Sequence, residues 1–399
     1  MLKVDTQYAK HNMKLALPVL NPRDPSKVLL KIGYELTDEV IGKLVDFAVR
    51  SIWIKYPSLS FLEEFISPDT AQACNKVVSQ IASAFETMQE KSTAKLPYNM
   101  YVKSIAQLVD QLINNPKTAM YLGDISEADH DMMRHSSNVC YLSILMGLKL
   151  AGYIVKERKH VNPTRAADVV NLGLGGMLHD IGMLMLPVDV FERYYEYHDE
   201  TDKQWREHTV LGYQKIRGNV EPSAATIVLN HHQRFDGSGF AGADYAVLEG
   251  KRIHVFARIC AIADQFDRLR QPRHKHAKPT VWALRQMLTK PLINKYDPHI
   301  INALVSVVPP YPPGSIVLMS DGRYAICIDH NIHDPCRPTI QFIPGPDQLN
   351  PDYKYDEQPL DLSEATQKLA IAQIEGYDVT KFNFDPMMVP KESTYAEWL

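Results

Sequence analysis

Cysteine is scarce in this chain of 399 residues, and its five copies are widely spaced. An odd number of distant cysteines does not form a disulfide framework, and a thiolate zinc site needs cysteines in close pairs. The sequence therefore argues against a disulfide-linked secreted domain and a structural zinc site, and it favours a reducing compartment. The cysteines are Cys74, Cys140, Cys260, Cys327 and Cys336.

A surplus of positive charge is also absent. The chain carries 43 Lys and Arg against 47 Asp and Glu, a formal net charge of -4. Proteins that wrap long nucleic acid need excess Lys and Arg to displace the counterions of the phosphates. The balance argues against long nucleic acid as a partner and remains compatible with a small anionic ligand.

Long apolar runs are missing as well. No stretch reaches the ~18 apolar residues that cross a bilayer. The amino-terminal segment is interrupted by Lys3, Asp5, Lys10 and Lys14, unlike the apolar centre of a signal peptide. We expect no membrane span and no signal peptide, and we predict a cytoplasmic protein.

Residue periodicity divides the chain into four segments. Residues 1–66 predict a small α+β regulatory or companion module, and residues 67–126 a helical linker that starts a bundle. Residues 127–308 have the three- and four-residue apolar spacing of helices, and residues 309–399 contain short strands, turn signals and a tail. The predicted fold class is mainly α, a helical bundle with an α+β module before it and a small β-rich extension after it.

Individual elements follow from the same patterns. The predicted helices are Thr37 to Val49, with Thr37 as its cap, Val77 to Met88, Val139 to Leu150, Ala166 to Leu178, Ala224 to Leu229, Val255 to Leu269 and Ser363 to Ile374. The predicted strands are Met13 to Leu20, Val28 to Ile32, Ser51 to Tyr56, Ser315 to Met319, Tyr324 to Ile328 and Thr339 to Ile343.

The dipeptide His-Asp occurs four times, so it has little diagnostic value alone. The pair His179-Asp180 differs because it closes the most apolar helical stretch of the chain, where a charged aspartate is costly unless something compensates it. A metal ion is one compensation. In the alternative, Asp180 caps a turn and His179 is a core histidine bonded to a carbonyl.

Further His and Asp residues lie on apolar helices. Asp131 and His135 are four residues apart and share one helix face, which Val139 and Leu142 continue toward the core. Imidazole and carboxylate are the ligands of Fe, Mn, Ni or Zn hydrolytic centres, and eight candidates suit two or three divalent ions. The candidate ligands are Asp131, His135, His179, Asp180, His208, His231, His232 and Asp264.

An ordered series of motifs resembles the bacterial HD-GYP domain, a cyclic di-GMP phosphodiesterase family of the HD metal-dependent phosphohydrolase superfamily. The series runs through HS at His135-Ser136, HDIG at His179 to Gly182, HxxxG at His208 to Gly212, HHxxxDGSG at His231 to Gly239, and ADxFDxL at Ala263 to Leu269. The resemblance covers roughly residues 127–308 and implies a bundle of about seven helices. It also implies hydrolysis of cyclic di-GMP, or a related cyclic dinucleotide, to pGpG or GMP.

The resemblance assigns roles to individual residues. Seven of the eight candidates match metal ligands, and Asp131 stands where relatives with three metals have Glu. His179 and Asp180 are the predicted catalytic residues, with Asp180 and a hydroxide bridging two ions. Arg273 matches a phosphate anchor, and Lys275 or His276 replaces a displaced lysine beside it. Asp236 either orients His232 or stabilises its own turn.

Two departures from the family pattern bear on substrate handling. Met183 replaces the lysine after HDIG, and the naming triplet reads Gly239-Phe240-Ala241. Alternatives to cyclic di-GMP hydrolysis therefore stay open. One is a phosphohydrolase of another nucleotide. Another is a catalytically weak receptor or adaptor that binds a dinucleotide or a diguanylate cyclase partner, and a homodimer is compatible with each.

Overall fold

The computed structural model describes residues 2–22, 24–65, 68–118, 120, 131–197, 199–242, 245–272, 277–350, 358–364 and 369–391. Its helices lie mainly between residues 68 and 307, and its strands lie before and after them. The predicted mainly α fold class is confirmed.

An α+β module opens the chain. Its elements are β1 (Leu2–Asp5), β2 (Val19–Asn21), β3 (Asp24–Leu30), α1 (Asp38–Asp46) and β4 (Ser51–Ile54). Strands β1 and β4 pair antiparallel, as do β2 and β3. The Thr37 side chain caps α1 by accepting a hydrogen bond from the Val40 amide at 3.3 Å, as predicted.

The strand predicted over Met13 to Leu20 is largely wrong. Only its last two residues enter β2, while Lys14 and Leu15 form isolated bridges to Glu35 and Ile54. Apolar residues of this segment, such as Met13, Leu15 and Val19, are buried in the core of the module. Bends in the backbone between Leu15 and Val19 interrupt the hydrogen bonding that a continuous strand would need. The predicted strands at Val28 and Ser51 fall on β3 and β4.

The helical domain follows. Its helices are α2 (Pro68–Glu90), α3 (Tyr98–Asn114), α4 (Asp131–Lys149), α5 (Ala151–Glu157), α6 (Pro163–Ala166), α7 (Val170–Leu178), α8 (Val188–Tyr197), α9 (Lys203–Arg206), α10 (His208–Ile216), α11 (Pro222–Asn230), α12 (Val255–Arg270), α13 (Thr280–Met287) and α14 (Pro298–Val307). The predicted helices between residues 77 and 269 are confirmed, although the one predicted from Ala166 begins at Val170.

Two glycines bring the site-bearing helices together. A Cβ on Gly176 of α7 would lie 3.2 Å from the Cα of Cys140, so the missing side chain lets α7 pack closely on α4. A Cβ on Gly182 would lie 1.9 Å from the carbonyl oxygen of His208. The turn after α7 can therefore reach the start of α10 only because residue 182 is glycine.

A six-stranded antiparallel sheet follows the helices. Its strands are β5 (Ile316–Met319), β6 (Tyr324–Asp329), β7 (Thr339–Ile343), β8 (Leu360–Asp361), β9 (Ile371–Ile374) and β10 (Tyr377–Asp378), in the order β10-β9-β5-β6-β7-β8. Alternate residues of β6 enter different cores. Ala325 and Cys327 join the helical core, whereas Ile326 and Ile328 join the core of the amino-terminal module. The sheet is thus covered on both faces.

The helix predicted over Ser363 to Ile374 is wrong. Residues 371–374 form β9, which pairs with β5 and turns into β10 through Glu375 and Gly376, both with positive φ. The three-residue spacing of Ile371 and Ile374 is typical of a helix. Two successive residues with positive φ are instead typical of the tight turn of a β-hairpin. Residues 365–368 of the predicted helix lie outside the described ones.

Among the described residues, no single helix has both the length and the apolar composition needed to cross a membrane. By those two criteria alone, α4 and α5 pass together, with a bend of 84° between them.

Candidate metal centre

Five helices deliver seven buried His and Asp side chains to one place. His135 comes from α4, His179 and Asp180 from the end of α7, His208 from the start of α10, His231 and His232 from the end of α11, and Asp264 from α12. His135 is 9% exposed and the other six are at most 2% exposed. Tertiary packing therefore brings together seven of the eight candidates.

The two carboxylate oxygens of Asp180 face different histidines. Oδ1 lies 3.5 Å from Nε2 of both His208 and His231. Oδ2 lies 3.4 Å from Nε2 of His179 and 3.8 Å from Nε2 of His135. Among the described side chains, the ligand atoms form two compact groups that share Asp180: one with His208, His231 and His232, the other with His135 and His179.

Three histidines are oriented by their own helices. Nδ1 donates to the carbonyl three residues earlier in His179 (2.8 Å to Gly176), His208 (2.7 Å to Trp205) and His231 (2.9 Å to Val228). A carbonyl only accepts, so Nδ1 carries a proton, and in the neutral ring Nε2 is the nitrogen that keeps the lone pair. The hydrogen bond from His179 to the Gly176 carbonyl is compatible with the alternative in which His179 is a core histidine. The same hydrogen bond also directs Nε2 of that ring toward a metal position.

Unpartnered polar atoms test whether a metal fits. Among the described residues, both ring nitrogens of His232 and Oδ1 of Asp180 are buried without a hydrogen-bond partner, a costly arrangement unless something binds them. Burial lowers the pKa of His208 to about 3, and burial with the neighbouring histidines lowers that of His232 well below its usual range. Neutral imidazoles beside a carboxylate are the donors that divalent transition metals take, so the residues fit two ions.

Asp180 itself is held ionised. Burial raises its pKa, but the neighbouring histidines and Arg268 outweigh this and keep the pKa of Asp180 well below its usual range. The carboxylate is therefore in the charged form that bridging requires.

Asp267 orients His135, which belongs to the ligand group of His135, His179 and Asp180. His135 contacts Asp264 through Nε2 at 3.0 Å and Asp267 through Nδ1 at 2.6 Å, and Asn138 also donates to Asp267 at 2.8 Å. Burial lowers the pKa of His135, but the two carboxylates outweigh it and raise the pKa to about 9, so an ion bound by His135 would have to displace the proton of Nε2. Asp267 belongs to the ADxFD motif, and its three-residue spacing from Asp264 is the signal that could have identified it.

Arg268 is a further residue of the site, beyond the eight candidate ligands. Its side chain is 18% exposed and contacts Asp264 Oδ1 through Nε at 2.5 Å and Asp180 Oδ2 through Nη2 at 3.2 Å. Nη1 donates to the Tyr194 hydroxyl at 2.7 Å, and the Tyr194 ring stacks on Trp205. The four-residue spacing between Asp264 and Arg268 carried the signal.

Asp131 lies at the edge of this arrangement. Its carboxylate pairs with Arg134 one turn along α4 and belongs to neither compact ligand group. Both side chains line a cavity of about 240 Å³ that also reaches His135 and Arg268. A third metal at Asp131 stays a prediction.

The remaining predicted residues are Arg273, Lys275, His276 and Asp236, of which the structure describes only Asp236. Arg273, Lys275 and His276 lie outside the described residues. Asp236 accepts hydrogen bonds from the amide and hydroxyl of Ser238 at 3.0 and 2.6 Å, within its own turn, and it makes no hydrogen bond with His232. The turn-stabilising role is the one this geometry favours.

Comparisons with known proteins identify a matching family model and several similar proteins. A family model described as HD domain matches residues 145–300. The cyclic di-GMP phosphodiesterase PA4108 of Pseudomonas aeruginosa is 25% identical over 83% of this chain and 75% of its own length. The cyclic di-GMP phosphodiesterase response regulator RpfG of Xanthomonas campestris is 30% identical over 35% of this chain and 36% of its own. A cyclic di-GMP phosphodiesterase of Thermotoga maritima is 29% identical over 45% of each.

Proposed function

We propose that this chain, whose residues 145–300 match the HD domain model, is a metal-dependent phosphodiesterase of the HD-GYP kind. The proposed substrate is cyclic di-GMP or a related cyclic dinucleotide, and the products are pGpG or GMP. The names of three relatives support the substrate class. The observation that carries the proposal is that Asp180 presents one oxygen to each of two histidine groups.

Divalent ions, when bound, would activate water near neutral pH and relieve charge on the phosphate. The proposed ions are Fe, Mn or Ni, with Zn as a further choice. Asp180 would contribute one carboxylate oxygen to each ligand group. The backbone carbonyls keep the imidazole Nε2 atoms directed inward, so these ligands need little reorganisation.

The cavity beside His135 is the proposed entry for the phosphodiester. Arg134 lines it, and a guanidinium can bind two phosphate oxygens at once. Arg273 and Lys275 remain proposed phosphate contacts. The mechanism needs no covalent enzyme intermediate, because water activated by the bound ions would supply the nucleophile.

A receptor that binds a dinucleotide without cutting it is the second candidate. Two observations favour it: Met183 is buried and supplies no cation, and Arg268 already pairs with two carboxylates of the centre. In this case the amino-terminal α+β module and the six-stranded sheet would transmit the effect of dinucleotide binding to a partner such as a diguanylate cyclase.

One experiment separates the candidates. Purified protein loaded anaerobically with Fe, Mn, Ni or Zn is incubated with cyclic di-GMP, a hybrid cyclic dinucleotide and linear pGpG, and the nucleotides are separated by chromatography. The proposal expects metal-dependent conversion of a cyclic dinucleotide. Tight binding without product under every metal identifies the receptor, and conversion of pGpG alone identifies a hydrolase of another nucleotide.

A further inference from the structure

Arg268 is placed at the centre by its own helix. It follows Asp264 by four residues on α12, so the two side chains share one helix face whatever rotamer each adopts. The guanidinium then spans from Asp264 to Asp180, a residue delivered by α7. A permanent positive charge therefore stands between two carboxylates of the candidate metal centre.

The contacts of Arg268 are unevenly distributed over the two ligand groups. Nη2 contacts Asp180 Oδ2, the oxygen that faces His179 and His135. Nε contacts Asp264 Oδ1, the oxygen 3.0 Å from His135 Nε2. Asp180 Oδ1, which faces His208 and His231, accepts no hydrogen bond from the part of the chain that the structure describes.

A hydrogen bond to Tyr194 also holds the Arg268 guanidinium in place. Its third nitrogen, Nη1, donates to Tyr194, whose ring lies 4.1 Å from that of Trp205 at an interplanar angle of 13°. Trp205 is fully buried, so this support is part of the core. Moving Arg268 away from the carboxylates would break hydrogen bonds of all three nitrogens.

We propose that Arg268 divides the centre into two unequal metal sites. The site of Asp180 Oδ1, His208, His231 and His232 binds its ion tightly. The site of His135 and His179 binds its ion weakly, since Arg268 occupies its carboxylate oxygens and repels a second cation. This inference rests on the proposed metal centre, and it concerns affinity and stoichiometry without depending on the substrate.

The test measures metal binding in the full chain. Metal-free protein is titrated with Mn²⁺ or Zn²⁺ against a chromogenic chelator, and bound metal is counted by elemental analysis after gel filtration. The wild type should show two classes of site that differ at least about tenfold in affinity. Arg268→Gln should strengthen the weaker class at least about tenfold and change the tighter class much less, because Arg268 directly contacts the carboxylate oxygens of the weaker site and acts on the other site only at longer range.

Two further variants control for charge and position. Arg268→Lys keeps a cation and should retain the weak second class. Arg193→Gln removes an arginine that pairs with Asp189 and Asp202 on the surface and should bind metal like the wild type. Circular dichroism checks that each variant is folded, and the two unequal classes in the wild type test the inference even where a variant does not fold.

Several outcomes would overturn the inference. Two equal sites in the wild type would do so, as would an unchanged second class in Arg268→Gln or an equal gain in Arg193→Gln or Arg268→Lys. In these cases metal is still bound and the proposed centre stands. An absence of bound metal in the wild type and in Arg268→Gln alike overturns the proposed centre together with the inference.

Discussion

The ring of Phe240 lies flat against the imidazole of His232, with centroids 4.7 Å apart and planes inclined by 16°. The guanidinium carbon of Arg206 lies 4.3 Å from the Phe240 centroid, and Trp205 meets His232 edge to face. No described residue forms a hydrogen bond with the ring of His232. Its orientation therefore depends on aromatic packing, and Phe240, in the altered GYP triplet, supplies much of it.

Replacing Phe240 should loosen His232. Phe240→Leu keeps most of the buried volume, so the free energy of unfolding should fall by less than ~1.5 kcal/mol. Metal retention should fall roughly tenfold, as for other residues that orient a ligand. Elemental analysis after dialysis and urea unfolding give the two readouts, with Phe240→Tyr as the ring-preserving control. Wild-type metal content in Phe240→Leu would contradict this role.

Neutralising Asp180 should abolish the centre. Asp180→Asn has the same shape but removes the charge that two adjacent cations need between them, so bound metal and turnover should be lost, turnover by roughly a thousandfold or more. Asp236→Asn is the matched control, because Asp236 bonds only within its turn. Metal content and product formation are measured on both. An active Asp180→Asn protein would refute the bridging assignment.

Gly182 should tolerate no side chain. A Cβ there would meet the backbone of His208 at 1.9 Å and that of Gly212 at 2.6 Å. Since backbone cannot yield as a side chain can, Gly182→Ala should lower the free energy of unfolding by roughly 3 kcal/mol or more.

Gly152→Ala is the control for this prediction, because a Cβ at Gly152 in α5 meets nothing within 4 Å. This variant should be about as stable as the wild type or more stable by ~0.5–1 kcal/mol. Urea unfolding of the metal-free proteins measures both variants. Equal stabilities would show that the turn at residue 182 can move.

His254 should make the fold sensitive to mild acid. Burial and the nearby Arg158 and Arg258 lower its pKa to about 4, and Nδ1 accepts the hydrogen bond of the Phe256 amide that starts α12. The folded pKa lies below the unfolded value of ~6.5, so the stabilisation is complete above that pH and is lost as pH falls toward about 4.

The variant His254→Asn keeps a capping acceptor and removes the titration. Between pH 7 and pH 5 the wild type should lose about 2 kcal/mol more unfolding free energy than this variant. Urea unfolding at both pH values measures the difference. Parallel losses in the two proteins would show that His254 does not titrate in this range.

The sequence by itself determined the helices and the residues offered as ligands. Apolar spacing placed α2, α4, α11 and α12, because periodic burial is a local property of each helix. Ordered motifs singled out His135, His179, His208 and the others before any contact was known. The tail was predicted wrongly since two isoleucines three residues apart suit a helix and a hairpin equally, and the hairpin pairs with distant β5.

Only the tertiary structure decided how these side chains meet. It assigned the two oxygens of Asp180 to different histidine groups, paired Asp131 with Arg134, and set Arg268 between Asp180 and Asp264. It also placed the β6 strand between two cores that come from opposite ends of the chain. Periodicity specifies which face of an element is buried, whereas distances between atoms on separate elements depend on how those elements pack.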